Sequence, residues 1–339
     1  MNLKELAASL GLSQTTVSRA LNGYPEVNEA TRQRVSEAAA LQGYRPNASA
    51  RRLATGRAGA VGIVYTTSEG YGPHTSEFLG GLGARLAEDE IDVLVSTADT
   101  LEDELNAYRR AAQSKKVDCI ILHATRPDDV RVELLSELGL PFVQHGRTDM
   151  PGKIAWLDID NHAVSETAAL YLIDHGHRRV ALINGPRGFT FAAHREAGFV
   201  AALQSRGMEP DPRLMAEGLF SDEIGFRLMQ GLLAQRPTAV IAGSMMTALG
   251  AVRAIRAAGL EVGKDVSMIA HDDVFPYLNA ETMAPPMSTT RSSIRKAGWR
   301  VAELVLEVLG GRPPETIQEL WPVDLILRQS TGPGPAGGE

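Results

Sequence analysis

With 339 residues, 44% apolar and 22% charged, the chain is too long for one small module and has the composition of a folded globular protein. Its apolar runs fall far short of the ~20 residues of a membrane span, and polar residues follow Met1 at once, so we expect an unprocessed cytoplasmic protein. The net charge of −7 divides unevenly: residues 1–57 carry eight Lys and Arg against four Glu, and the rest is strongly acidic, which favours nucleic-acid binding by the basic end alone.

The first part of the chain predicts three short helices. Apolar residues recur at helical spacing over 3–10, and Gly11 then permits a sharp turn. Ser13 is placed to cap a second helix over 14–21, and a third helix begins at an Asn28 cap. This pattern predicts either a helix-turn-helix DNA-binding domain or an ordinary helical hairpin.

The second predicted helix has an outward face of groove-reading side chains. Val17 and Leu21 lie at i and i+4 and predict the core face. Gln14, Thr15, Ser18 and Arg19 then point outward. Gln pairs with adenine, Arg with guanine or phosphate, and Thr and Ser with bases or backbone, so these residue types suit the major groove.

A polar and basic stretch follows over 44–57, with Leu53 as its one large apolar residue past Pro46. A segment this short does not form a stable free helix, because nucleation is costly. Its composition is typical of a flexible linker, and also of a segment that becomes ordered only against a partner.

Three stretches in order carry a family resemblance: VSRALNG over 17–23, VNEATR over 27–32 and GYRPNASARRL over 43–53. Together they resemble the signature of the lactose/galactose repressor (LacI/GalR) family of bacterial transcription regulators. The resemblance extends to about residue 330. It implies a helix-turn-helix domain over 1–45, a hinge helix or linker over 46–59, and an effector-binding and dimerisation domain over 60–330.

The resemblance also implies which residues contact DNA. Leu53 matches a hinge leucine that wedges into the minor groove, where two symmetry-related side chains bend the duplex. Arg51 and Arg52 add phosphate-binding charge. The residues so implied for DNA contact are Ser13, Gln14, Thr15, Thr16, Ser18, Arg19, Asn22, Asn47, Ala50, Arg51 and Leu53.

From Ala60 onward, short apolar runs alternate with amphipathic helical stretches. Strands are predicted over 61–65, 91–95, 119–122, 141–143, 180–183, 239–242, 266–270 and 323–327. The only cysteine, Cys119, lies in one of these runs, which predicts a buried thiol and excludes an intrachain disulfide. Two such sets predict two doubly wound parallel-sheet subdomains with a ligand at the strand ends between them.

The resemblance gives this α/β core a periplasmic-binding-protein-like fold, with three chain crossings. It implies an N-subdomain of about 60–158 and 289–320 and a C-subdomain of about 159–288 and 321–330. Residues 331–339 are rich in Gly and Pro and predict a flexible tail. Because no leucine heptad follows, we expect a homodimer on a palindromic operator rather than a tetramer.

Enzyme signatures are weak in this sequence. The loop at Gly70 and Gly72 begins like a dinucleotide fingerprint but has Thr75 in place of the third glycine. No phosphate loop, nucleophile elbow or zinc helix motif occurs, so we expect no catalytic residue, metal or cofactor. A solute-binding protein is the other alternative, which Arg19 and Leu53 oppose.

The resemblance places Arg195 and Asp272 at effector-binding positions. The full implied set is His74, Phe78, His145, Arg147, Phe191, Arg195, Phe220, Ser244 and Asp272. Ser244-Met245 and Gly146 depart from the family pattern. The resemblance implies a small sugar-like effector. Because these departures remove polar groups of the usual hexose site, a larger glycoside, a sugar alcohol, a phosphorylated sugar and a purine are the alternatives. Both induction and corepression fit this sequence.

Overall fold

The structure is a computed structural model, and it describes residues 1–21, 23–44, 56–66 and 72–335. The chain forms two compact units, Met1–Ala58 and Gly59–Glu339, which we call the head and the body. Two separate sheets divide the body into an N-lobe and a C-lobe.

The head contains three helices, with the bounds α1 (Leu3–Leu10), α2 (Gln14–Leu21) and α3 (Glu29–Leu41). Asn2 and Glu5 form a reciprocal capping box at the start of α1, and Gly11 ends that helix in the left-handed conformation with φ +64°. Asn28 caps α3 through its side chain. The three helices bury a small core of Leu6, Ala7, Leu10, Val17, Ala20, Val27, Val35 and Ala39. The predicted helix-turn-helix fold is confirmed, and the helical-hairpin alternative is wrong.

The N-lobe is built on a parallel six-stranded sheet in the order β11-β5-β4-β3-β1-β2. Its strands are β1 (Ala60–Thr66), β2 (Asp92–Ala98), β3 (Cys119–Leu122), β4 (Phe142–His145), β5 (Ala155–Ile159) and β11 (Gln318–Trp321). Its helices are α4 (Pro73–Ala87), α5 (Leu101–Ser114), α6 (Val130–Glu137) and α11 (Ile294–Leu309). All residues of β1 and β3 are buried, because helices cover both faces of the sheet.

The C-lobe repeats this plan with the order β12-β10-β9-β8-β6-β7, parallel except for β12 against β10. Its strands are β6 (Val180–Asn184), β7 (Met215–Glu217), β8 (Ala239–Ala242), β9 (Ser267–Asp272), β10 (Ser288–Arg291) and β12 (Asp324–Ile326). Its helices are α7 (Asn161–Asp174), α8 (Thr190–Ser205), α9 (Asp222–Leu233) and α10 (Met245–Ala257). Short 3₁₀ turns occur at Pro212–Leu214 and Ala280–Thr282 in this lobe and at Pro314–Thr316 in the N-lobe. The predicted fold class is confirmed.

Neighbouring helices approach each other closely at glycines. In the C-lobe, α9 packs on α10, and a Cβ on Gly250 would overlap the backbone oxygen of Asp222. In the N-lobe, α4 packs on α11, and a Cβ on Gly298 would overlap the backbone oxygen of Phe78. These helix pairs need glycine because it has no side chain, and not because of its backbone flexibility.

The chain crosses between the lobes three times, after β5, after β10 and after β11. The predicted lobe boundaries differ from the structure at three places. Ile159, predicted for the C-subdomain, is the last residue of β5 in the N-lobe. Residues 289–291 belong to the C-lobe, because β10 pairs with β9 and β12. Trp321 belongs to the N-lobe, because it pairs with Ile159 in parallel.

The expected flexible tail is wrong for residues 331–335. The Gly332 amide donates to Ser267 Oγ at 2.9 Å, and the Gly334 amide donates to the His175 carbonyl at 2.8 Å. This segment is fastened to the C-lobe by backbone hydrogen bonds, whereas 336–339 lie outside the described residues. Within the described ranges, no helix has both the length and the apolar content to cross a membrane.

Candidate ligand cavity and DNA-binding helix

Helix α2 presents an exposed polar face beside a buried apolar one. Ser13 Oγ accepts the Thr16 amide at 3.0 Å and so begins the helix. Val17 is buried, whereas Gln14, Thr15 and Arg19 are exposed. These positions are the ones that the sequence assigned to DNA, and Thr16 and Ser18 are half-buried beside them. Five other predicted DNA-contact residues lie outside the described ones: Asn22, Asn47, Ala50, Arg51 and Leu53.

A cavity of about 400 Å³ lies between the two lobes of the body, at the carboxyl ends of the strands. We call it the interlobe cavity. The predicted effector residues that line it are His74, Phe78, His145, Phe191, Arg195 and Phe220. Its size and its mainly apolar walls, which include several aromatic rings, are typical of small-molecule sites.

Arg195, in the second turn of α8, is the one Arg or Lys among the described residues that line this cavity. Its Nε donates to Asn161 Oδ1 at 2.8 Å, and its Nη1 donates to the Gly243 carbonyl at 2.8 Å. Among the described residues, none accepts a hydrogen bond from Nη2. Only 5% of Arg195 is exposed, and burial lowers the pKa of its guanidinium to about 10. The two protein bonds fix the guanidinium and leave one donor arm for a ligand.

Asp158 and Asn161 form the polar wall next to Arg195. Asp158 Oδ1 accepts from Asn161 Nδ2 at 3.1 Å, and the Nε of Arg147 lies 3.6 Å from Asp158 Oδ2. Burial raises the pKa of Asp158 to about 7, although Arg147 opposes the shift. Near neutral pH this carboxyl therefore exists in both forms, and its protonated form both donates and accepts hydrogen bonds.

Asp273, rather than the predicted Asp272, lies on the cavity wall. Its Oδ2 is 2.6 Å from Nε2 of His74 in the N-lobe, and its Oδ1 is 3.3 Å from Nε2 of His271. Burial alone would raise the pKa of Asp273, but the two histidines hold it well below its usual value. Asp272 turns away and accepts the Val274 amide at 2.8 Å.

Two further predicted residues do not line the cavity. Ser244 is buried as the cap of α10, where its Oγ accepts the Thr247 amide at 3.1 Å. Arg147 stands behind the wall, with its guanidinium over the Trp156 ring at 5.6 Å and its Nε near Asp158.

Aromatic rings line other parts of the cavity. Phe191 lies 5.9 Å from both Phe189 and Phe220, measured between ring centroids, and the Arg195 guanidinium lies 5.3 Å from the Phe191 ring. On the N-lobe side, Phe78 stacks on His145 at 4.5 Å. Burial lowers the pKa of His145 to about 3, so this ring is neutral at physiological pH.

Comparison with known proteins identifies the family. Residues 2–47 match the model described as bacterial regulatory proteins of the lacI family, and residues 169–331 match that of a periplasmic binding protein-like domain. The HTH-type transcriptional regulator AglR of Rhizobium meliloti (strain 1021) is 46% identical over 340 residues, which cover 99% of this chain and 95% of that protein. This chain belongs to the lacI family.

Solved structures agree with this assignment over both units. A transcriptional regulator CelR–cellobiose complex has 30% identity and a TM-score of 0.73, covering 97% of this chain and 99% of its own. The lac repressor dimer bound to operator and the anti-inducer ONPF has 25% identity and a TM-score of 0.81, covering 98% of this chain and 99% of its own. The resemblance stated from the sequence is confirmed. The lacI-family chain is a DNA-binding transcriptional regulator and not an enzyme.

Sequence reasoning missed several cavity residues of this lacI-family regulator. Asp158 and Asn161 occur in the run DIDN at the end of β5, and polar residues at the carboxyl end of a parallel strand were a usable signal. The segment 123–125 after β3 offered the same signal. Asp273 directly follows the predicted Asp272, and side-chain alternation at a strand end does not say which of the two aspartates faces the ligand.

Proposed function

We propose that this lacI-family regulator is a cytoplasmic homodimeric repressor of carbohydrate uptake or catabolism genes, and that a neutral sugar in the interlobe cavity releases it from a palindromic operator. The observation that carries the proposal is the composition of that cavity. A fixed guanidinium at Arg195 and carboxyls at Asp158 and Asp273 stand among aromatic rings.

These groups suit a sugar because a pyranose has polar hydroxyls at its rim and apolar C–H groups on its faces. The Arg195 Nη2 donor and the Asp158 carboxyl suit neighbouring hydroxyls, since charged groups form the stronger hydrogen bonds. Phe191 and Phe220 offer apolar surface to the ring faces.

The charge balance of the cavity favours a neutral ligand over a phosphorylated one. Arg195 is opposed by Asp158 and Asp273, and Asp273 stays ionised because His74 and His271 surround it. Among the described lining residues, a phosphate group would meet the Asp273 carboxylate, and Arg195 is the one Arg or Lys side chain. The CelR–cellobiose complex supports a disaccharide as the effector class, since it covers nearly the whole of this chain.

The head supports the DNA-binding half of the proposal. The basic charge and the exposed Gln14, Thr15 and Arg19 of α2 suit a major groove. A dimer places two such helices on half-sites related by two-fold symmetry, and the lac repressor dimer on its operator supports that arrangement. Because the partner is DNA, the protein works in the cytoplasm.

A two-step experiment tests this function. Thermal-shift measurements first compare cellobiose and other neutral disaccharides, monosaccharides, a hexose phosphate and a purine base. An operator is then selected from random duplexes, and its affinity is measured by fluorescence anisotropy with and without the stabilising sugar. We expect operator affinity to fall by roughly 5- to 150-fold with sugar, and sugar affinity to fall by the same factor with operator.

Three results would contradict the proposal in different ways. Stabilisation by the purine or phosphate alone contradicts the neutral-sugar assignment. A gain of operator affinity makes the regulator a corepressor-type protein. Sugar binding without any selected DNA contradicts the regulatory role and favours a solute-binding protein.

A further inference from the structure

A cluster of buried charges lies in the N-lobe, beneath the wall of the interlobe cavity. Arg131 of α6, Asp129 before it and Glu104 of α5 have no exposed surface. Arg131 does not line the cavity, and no predicted site residue belongs to this cluster. Burying an ion pair costs desolvation that its attraction scarcely offsets, so such a cluster is poorly explained by stability alone.

The guanidinium of Arg131 binds in four directions. Nε and Nη2 donate to the two carboxylate oxygens of Asp129 at 2.8 and 2.7 Å, and Nη1 donates to Glu104 Oε1 at 2.8 Å. Nη2 also donates to the carbonyls of His123 and Ala124, both at 3.1 Å. Burial opposes the ionised form of Asp129, but the Arg131 hydrogen bonds hold the pKa of Asp129 below its usual value. The carboxylates thus fix Arg131, and Arg131 fixes two backbone carbonyls.

Those carbonyls belong to the segment 123–125, which follows β3 and lines the cavity. Ala124 has φ +48°, a left-handed conformation that is unfavourable for a residue with a side chain. Arg131 donates to the carbonyl of His123, which precedes Ala124, and to the carbonyl of Ala124 itself. These two hydrogen bonds hold Ala124 in the left-handed conformation.

The same segment reaches across to the C-lobe. The Thr125 carbonyl accepts two hydrogen bonds from Thr190, one from its backbone amide at 2.8 Å and one from its Oγ1 hydroxyl at 3.0 Å. Thr190 is the first residue of α8, so its amide lacks a partner within its own helix. The first residue of α8 is therefore bound to the N-lobe, and Arg195 lies on the next turn of the same helix.

We propose that Arg131 is a positioning residue for effector recognition: through the 123–125 segment it shapes the N-lobe wall of the cavity and sets the Thr125–Thr190 bond between the lobes. This inference deepens the proposed function and rests on it for the identity of the effector. Lysine at this position keeps the charge but lacks the planar fork that serves two carboxylates and two carbonyls at once.

The test compares Arg131→Lys with Arg300→Lys. Arg300 is the matched control, because its guanidinium also bonds several carboxylates in the N-lobe, including Glu303 and Glu319, without lining the cavity. The first readout is amide hydrogen exchange of Thr190 in the ligand-free full-length dimer. We expect exchange at Thr190 to accelerate at least tenfold in Arg131→Lys, whereas exchange in strand β6 of the same lobe stays unchanged. Arg300→Lys should leave both unchanged.

The second readout is calorimetric affinity for the sugar that the thermal-shift panel selects. Arg131→Lys should weaken it at least tenfold. If Arg131→Lys does not fold, the combined variant Arg131→Met, Asp129→Asn, Glu104→Gln removes the charges together and should show the same two changes. Wild-type Thr190 exchange or wild-type sugar affinity in either folded variant would overturn the inference. Failure of the proposed function would appear separately, as absence of sugar binding to the wild type, and Thr190 exchange would still decide whether Arg131 holds the segment.

Discussion

Arg195 offers the sharpest test of how the interlobe cavity holds its ligand. In Arg195→Met the apolar length of the side chain is nearly kept, and the guanidinium is lost. We expect one or more charge-assisted hydrogen bonds to the sugar to disappear, each worth ~1.5–3 kcal/mol. Sugar affinity should therefore fall by roughly 10- to 150-fold or more. Calorimetry on the wild type and the variant measures this ratio directly.

The variant also leaves two acceptors without a donor, at Asn161 Oδ1 and the Gly243 carbonyl. Stability should fall by about 1–3 kcal/mol for each acceptor that no water satisfies. Removal of a buried cation, whose pKa is already lowered to about 10, offsets part of that loss. Urea unfolding separates this change in stability from the change in sugar affinity.

The exposed Arg187 provides the control, because its side chain is 82% exposed and pairs with Glu217 outside the cavity. Arg187→Met should bind sugar as the wild type does. Operator affinity without sugar should be the same in both variants and the wild type. A sugar affinity of Arg195→Met within threefold of the wild type would refute the reasoning, since the Nη2 arm would then contact no ligand.

Three further predictions concern pH, packing and DNA. Burial raises the pKa of Asp158 to about 7, so folding favours its protonated form. Ionisation of Asp158 should therefore lower the free energy of unfolding by up to about 4 kcal/mol as pH rises from 4 to 7. Urea unfolding of Asp158→Asn should not show this decline. Gly250→Ala should lower the free energy of unfolding by about 2 kcal/mol or more, because its Cβ meets the Asp222 backbone, whereas Gly231→Ala on open helix surface should raise it by ~0.5–1 kcal/mol. Leu53→Ala, outside the described residues, should weaken binding to the selected operator roughly tenfold more than binding to random DNA, and equal losses would contradict the wedge role.

Much of the fold could be predicted because local patterns determine it. The bounds of α1 and α2 follow from apolar spacing and from caps at residues that the sequence shows directly. Strand β3 was predictable as a fully apolar run of four residues. Strands β5, β7, β10 and β11 were not predicted. The last three are short and polar, and they gain their hydrogen bonds only from a neighbouring strand of the completed sheet.

The C-terminal segment shows why composition misled. Glycine and proline in 331–335 indicated flexibility, since such residues bury little side-chain surface. In the structure a Cβ on Gly334 would overlap the backbone of Gly176, and the Gly334 amide donates to the His175 carbonyl. Glycine is present there because two backbones approach closely, and that reason is invisible until the tertiary fold is known.

The cavity contains two kinds of bond: bonds within one lobe, which hold ligand-binding side chains in place, and bonds between the lobes, which can couple the ligand to DNA binding. Arg195, Asn161 and Gly243 all belong to the C-lobe, so their mutual bonds are the same whichever way the lobes are arranged. The pairs His74–Asp273 and Thr125–Thr190 each join one lobe to the other, so their geometry depends on the lobe arrangement. A ligand shifts a conformational equilibrium only through a difference in its affinity for the two states. This difference in affinity has to arise where the ligand contacts groups from both lobes. In this structure such contacts are available at the segments that carry His74 and Thr125.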